Sequence, residues 1–238
     1  MIEAWFHFVF VWLAVVLPLL TWLRRKNFRR GTPGPKLDTR RLYMRVMLGQ
    51  WVTALGLVYV FWRLGIPLKA LGLAKPDWIA TAYLAVLVVV VALFGERRFK
   101  ELLANPEKLA KVRARAEGFS LLVPMTDLEA RWWVALSITA GVCEEILYRG
   151  YLGFYLGAHM PLWAVAACAS VFFGFAHLYQ GPRNAARTLV AGVLFWGTYL
   201  LSGSILPGMV LHAWIDLRSG RALRRAFTEP APIAGEAT

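Results

Sequence analysis

Hydrophobic positions in this chain fall in long, nearly uninterrupted runs. The first spans Ala4 to Leu23, the second about Tyr43 to Ile66 and the third Trp78 to Phe94. Four more follow closely: Leu128 to Gly157, Leu162 to Leu178, Ala186 to Leu201 and Ile205 to Leu217. A helix needs about 20 mainly apolar residues to cross a bilayer. The runs lack the period-2 alternation of barrel strands, and only helices or closed barrels satisfy their backbone in hydrocarbon. The pattern predicts an all-α, polytopic transmembrane helical bundle of about seven spans. Turns at 158–161, 179–183 and 202–204 are short, which makes the last four helices antiparallel neighbours in one compact core. The stretch Glu96 to Val123 is basic and less apolar, with Asn105-Pro106 and Gly118 inside it. It predicts a helix along the membrane surface, partly continuous with the third span.

Four regions follow. Residues 1–98 are N-terminal transmembrane helices, and 99–127 are a basic cytoplasmic linker or surface helix. Residues 128–218 are the four-helix core, and 219–238 are a cytoplasmic tail expected to be disordered. No internal repeat is visible.

Composition agrees with this class. The chain is 58% hydrophobic and 14% aromatic, with a mean hydropathy of +0.52, well above a soluble domain of its length. A formal charge of +13 would suggest nucleic acid in a soluble protein. Here the basic residues cluster between apolar runs, at Arg24–Arg41, Arg97–Arg115, Arg183 with Arg187, and Arg218–Arg225. With seven spans all four clusters fall on one side, which predicts an outside N-terminus and a cytoplasmic C-terminus and leaves no role for nucleic acid. The first run follows Glu3 and lacks a small-residue cleavage site, so it reads as a first span, not a signal peptide. Cys143 and Cys168 both lie in apolar runs and read as small core residues.

Charge inside an apolar span is costly, so each case needs a reason. The fourth run carries Cys143-Glu144-Glu145-Ile146-Leu147-Tyr148-Arg149-Gly150. Glu145 and Arg149 are i,i+4 neighbours with the acid N-terminal, the better order for pairing. Glu144 points about 100° away around the helix and has no local cation. One acid therefore reads as structural and the other as free, suited to deprotonating water. The fifth run ends on Phe173-Gly174-Phe175-Ala176-His177, where Gly174 and Ala176 permit close helix approach. The seventh carries His212 and Asp216, again one turn apart. Each motif alone could be a packing clamp. Together they predict one intramembrane site made of Glu144, Glu145, Arg149, His177, His212 and Asp216. Tyr148, Tyr151 and Tyr155 read as bundle-lining residues, and Glu96-Arg97-Arg98 as an interfacial charge cluster.

The ordered trio Glu144-Glu145-x-x-x-Arg149, Phe173-x-x-x-His177 and His212-x-x-x-Asp216 resembles the CPBP family of intramembrane proteases. These are the CAAX prenyl protease 2-type and bacteriocin-processing enzymes, also called Abi proteins. The resemblance covers about Arg131 to Leu217, and nothing carries over to the first three spans. It implies that the core is catalytic and that the chain is a multi-pass protein of a bacterial cell membrane. Glu144 would be the water-activating base, with His177 helping to hold it. His212 and Asp216 would stand on the oxyanion side, and Glu145 with Arg149 would support the site. Eukaryotic prenyl proteases carry Asn where this chain has Asp216, and an ionised Asp cannot donate to an oxyanion. Either Asp216 is protonated, or it orients His212 and His212 alone donates.

A divalent metal such as zinc could be held by Glu144, His177 and His212 with an open position, although a metal-free glutamate–water mechanism uses the same residues. The expected substrate is a membrane-anchored protein or peptide: a prenylated tail, a peptide leader or a C-terminal sorting tail. Two other classes compete: a non-catalytic immunity or scaffold protein, and a proton-coupled transporter. The missing inverted repeat speaks against the transporter.

Overall fold

The computed structural model describes residues 2–23, 25–29 and 38–228, and every regular element among them is helical. The first rod starts as α1 (Ile2–Val11), passes through a wide turn at Trp12–Val16 and ends as α2 (Leu17–Leu23). In that turn the Leu17 N–H reaches back five residues to the Trp12 carbonyl. The cause is Pro18, whose ring crowds the carbonyl four residues before it.

The second rod, α3 (Thr39–Arg63), is capped by Asp38, whose carboxylate accepts from the Arg40 N–H. Its two faces differ sharply. Leu48, Val52, Leu55, Tyr59 and Trp62, spaced by fours and threes, are exposed, whereas Ala54, Leu57 and Phe61 are fully buried. An exposed stripe of large apolar side chains is what a lipid-facing helix presents. α4 (Trp78–Ala104) begins on an Asp77 cap and α5 (Pro106–Ala116) on an Asn105 cap, with proline in its first turn. The surface helix expected after the third span is thus partly the end of α4 and partly α5. Its charge cluster is also tied in: Arg218 donates to Glu96 at 2.9 Å and lies over the Phe99 ring.

The C-terminal half is a tight helical pack. α6 (Asp127–Glu145) opens on a capping box between Thr126 and Glu129. A second wide turn, Ile146–Tyr151, connects it to α7 (Leu152–Gly157). Then come α8 (Leu162–Ala176), α9 (Pro182–Ser202) and α10 (Leu206–Thr228). α10 continues through residues 219–228, where a disordered tail was expected to begin. Ala226 is buried there, and the Phe227 carbonyl accepts from Arg113 of α5 at 3.1 Å, so the helix has a surface to pack on. The rest of that tail lies outside the described residues.

Loops tie the two halves together. The Ile205 N–H donates to the Gly72 carbonyl at 3.0 Å and the Asp77 N–H to the Ser202 carbonyl at 2.8 Å. Gly72 takes a left-handed φ of 70° to make that turn. Among the described residues three helices, Ala4–Leu23, Thr39–Arg63 and Pro182–Ser202, are long and apolar enough to cross a membrane by length and composition. Leu162–Ala176 is a shorter apolar helix. Both cysteines are free, Cys143 buried and Cys168 half-buried.

Candidate active site

The site is assembled by α6, α8, α9 and α10, and two close approaches permit it. A side chain at Gly141 would put its Cβ 2.7 Å from the Met209 carbonyl oxygen, so α6 and α10 meet backbone to backbone. A Cβ at Gly174 would lie 2.9 Å from that of Leu189, which brings α8 against α9. The close approach expected of Gly174 is therefore made, and α9 is its partner.

Arg149 is completely buried. Its guanidinium donates to Glu145 Oε1 at 3.0 Å and to the Gly192 carbonyl at 3.0 Å. It is also flanked by aromatic rings, with Phe173 4.5 Å and Phe195 5.0 Å from the guanidinium carbon. A planar, delocalised cation suits such a slot, where a lysine ammonium would not. Glu145 is equally buried, and its Oε1 also lies 2.9 Å from His212 Nδ1. A paired carboxylate only accepts, so His212 donates at Nδ1 and turns Nε2 outward. The sequence offered Asp216 as the residue that orients His212. The structure puts that hydrogen bond on Glu145, while Asp216 Oδ2 stands 3.8 Å from His212 Nε2.

His177 caps the end of α8 and does not continue it. Its Nδ1 lies 2.8 Å from the Phe173 carbonyl, which can only accept, so here too Nε2 is the free nitrogen. Both free nitrogens face one atom. Glu144 Oε2 is 3.8 Å from His212 Nε2 and 4.0 Å from His177 Nε2. These separations are too long for direct hydrogen bonds and suit a bridging water. Glu144 Oε2 is buried with no hydrogen-bond partner. The two adjacent glutamates thus occupy different environments, one locked to Arg149 and His212, the other turned to an open space.

That space is a cavity of about 970 Å³ whose wall includes Glu144, His177, His212 and Asp216. Glu145 and Arg149 stand behind that wall and reach it through His212, so the six residues expected from the sequence form one connected cluster. Others were not foreseen. Gln50 of α3 donates from Nε2 to Glu144 Oε1 at 2.6 Å. Phe195 stacks on the His212 ring at 4.6 Å between centroids. The Tyr148 hydroxyl is buried beside the cavity without a partner. For Gln50 a signal existed. Residues 43, 47, 50, 54, 57 and 61 form the inward seam of α3, and Gln50 is the amide on it. Nothing in the sequence marks Phe195 or the Gly192 carbonyl.

Residues 126–218 match the model of the Rce1-like family, described as type II CAAX prenyl endopeptidase. The match begins at the cap of α6 and ends just after Asp216, so it contains every residue of the predicted site. This C-terminal segment is similar to that family. The chain is an integral membrane protein, and the similarity supports an intramembrane endopeptidase of the CAAX-protease kind. No curated protein and no solved structure matches the chain. The match leaves out α1 to α5, and with them Gln50.

Proposed function

We propose that this endopeptidase hydrolyses a peptide bond in a membrane-anchored protein or peptide, with Glu144 as the general base. The observation that carries the reading is the convergence of two outward-turned imidazole nitrogens on Glu144 Oε2 in the wall of a cavity. A water placed between them would give a proton to Glu144 as its oxygen bonds to the scissile carbonyl carbon. The tetrahedral intermediate then collapses, the C–N bond breaks, and Glu144 returns the proton to the leaving amine. The developing oxyanion needs a donor in this water-poor site. His212 already donates at Nδ1, so it can donate at Nε2 only as an imidazolium. Glu145 and Arg149 support the site by holding that ring. Asp216 lies close enough to Nε2 to pair with that imidazolium in the resting enzyme.

A metal is the other way to activate the water. Glu144, His177 and His212 would hold it, and histidines anchored through Nδ1 are typical of metal sites. Among the described residues, however, no group of three or more His, Cys, Asp or Glu is arranged as a metal-holding set. No step above is routed through one. Cleavage is expected to survive dialysis against a chelator, and loss restored by zinc would overturn the metal-free version.

The cavity has two chemistries. Its wall includes Trp5, Val9, Trp12 and Leu13 of the first rod, and also Arg45, Arg115 and Arg187. This favours a peptide whose lipid or apolar anchor lies along the first rod while an acidic or carboxylate end meets the arginines. A prenylated tail has that character, and a leader or sorting tail with an acidic end would fit the same walls. The domain reading accompanies this: 128–218 is the catalytic unit, and the preceding helices supply one wall of its cavity. So does a seven-span topology in a cell membrane, N-terminus outside.

The test is to reconstitute the parent protein and Glu144→Ala with membranes of the host and compare the new peptide termini. Termini made by the parent and missing from the variant are expected. Identical profiles would sink the proposal.

A further inference from the structure

Gln50 lies outside the matched segment, half-buried where the inward seam of α3 meets the cavity; Tyr43, Ala54, Leu57 and Phe61 on that seam are fully buried. Burying an amide in such a seam is unfavourable unless both ends are paired. Only one end is. Nε2 donates to Glu144 Oε1 at 2.6 Å, and Gln50 Oε1 is buried without a partner. A methionine or leucine would fill the same volume with no stranded oxygen, so packing alone does not explain an amide here.

The geometry of the carboxylate supplies a reason. The plane of the Glu144 carboxylate is free to rotate about its last bond, a torsion with a broad, roughly two-fold profile. A donor fixed on one oxygen sets that plane and so aims the other oxygen at the histidines. With Oε1 held by Gln50, Oε2 is the oxygen that stands 3.8 Å from His212 and 4.0 Å from His177. We propose that Gln50 is the positioning residue for Glu144. It comes from the N-terminal helices, and it completes a site whose other parts all lie in the C-terminal core. The proposal rests on the reading of Glu144 as the base. It makes the N-terminal helices a working part of the active site as well as a wall around it.

The test uses the full-length protein in lipid nanodiscs, with Gln50→Met, which keeps length and volume but has no donor, and Gln50→Asn, which keeps the amide one methylene short. Infrared difference spectra across a pH titration identify the Glu144 carboxyl band by its absence in Glu144→Gln. The band is expected to move in Gln50→Met and to move less in Gln50→Asn. Production of the Glu144-dependent termini is expected to fall about 10- to 100-fold in kcat for Gln50→Met, with KM changed less than about threefold, and to recover in part in Gln50→Asn. An unmoved band, or a kcat within about twofold of the parent, overturns the role of Gln50 while Glu144-dependent termini still appear. If the parent makes no such termini, the base assignment and this proposal fall together. A thermal melt of Gln50→Met close to that of the parent separates positioning from folding, and if that variant does not fold, the infrared band and kcat of Gln50→Asn decide the same question.

Discussion

Arg149 shows how far a single residue can be committed to architecture. Its two terminal guanidinium nitrogens are hydrogen-bonded, the rings of Phe173 and Phe195 lie against it, and no part of it reaches solvent. Removing one partner of a buried ion pair leaves an uncompensated charge and costs about 3–5 kcal/mol. Arg149→Ala should therefore abolish or severely lower the melting temperature of the purified protein. Arg149→Lys should do nearly as much, because an ammonium cannot fill the aromatic slot. Glu144→Gln should behave oppositely, with a melt close to the parent's and no cleavage. A scaffold protein that kept the motif for packing alone would tolerate that change, which is the outcome that would favour it. Tyr148→Phe removes a hydroxyl that has no partner. It should leave the melt unchanged or raise it slightly, since an unpaired buried group costs about 1–3 kcal/mol. A lower cleavage rate with an unchanged melt would mean that the hydroxyl meets the substrate.

These residues also mark what the sequence could and could not say. Glu145 and Arg149 were readable as a pair because both sit on one helix, one turn apart. The partner of His212 was not. Helical spacing pointed to Asp216, but His212 donates its hydrogen bond to Glu145 on another helix. No periodicity within α10 encodes a contact made across it.

The element scale turns on the crossing of α6 and α10, which carry Glu144 and His212 respectively. Gly141 sits at that crossing, and an added Cβ would meet the Met209 carbonyl at 2.7 Å and the Ala213 nitrogen at 3.0 Å. Backbone atoms cannot rotate away as a side-chain tip can. Gly141→Ala should destabilise by about 1–3 kcal/mol, the usual cost of overpacking, and should lower kcat as the base and the histidine separate. Gly157→Ala is the control, since its Cβ would meet nothing within 4 Å and alanine favours a helix. If both variants melt and turn over alike, the crossing does not set the site. Hydropathy found the rods here, because burial in lipid makes them apolar along their whole length. It could not find the wide turn at Ile146–Tyr151, nor the extension of α10 to Thr228, because a basic amphipathic end resembles a solvated tail until α5 is seen beneath it.

At the scale of the molecule, described residues in or next to the four basic segments pack against one another. Phe28 from the first and Phe119 and Leu122 from the segment after α5 share a cluster with Tyr179, Leu223 and Phe227. Asn184 donates to the Arg115 carbonyl, and Arg113 to that of Phe227. Other loops are held by the Gly72–Ile205 and Asp77–Ser202 ties and the His7–Tyr155 hydrogen bond. Basic loops are retained on the cytoplasmic side during insertion, so the proposed topology puts the basic segments in the cytoplasm. A fusion after Thr228 should therefore fluoresce as a cytoplasmic reporter and stay silent as a secreted phosphatase. Fusion to the N-terminus should give the reverse. In the proposed orientation Arg45, Arg115 and Arg187 of the cavity wall would form its cytoplasmic mouth. A peptide would then enter with its acidic end from the cytoplasm and its anchor in the bilayer. A phosphatase-active C-terminal fusion would invert the fold in the membrane and move that mouth, and with it the source of the substrate, to the outside.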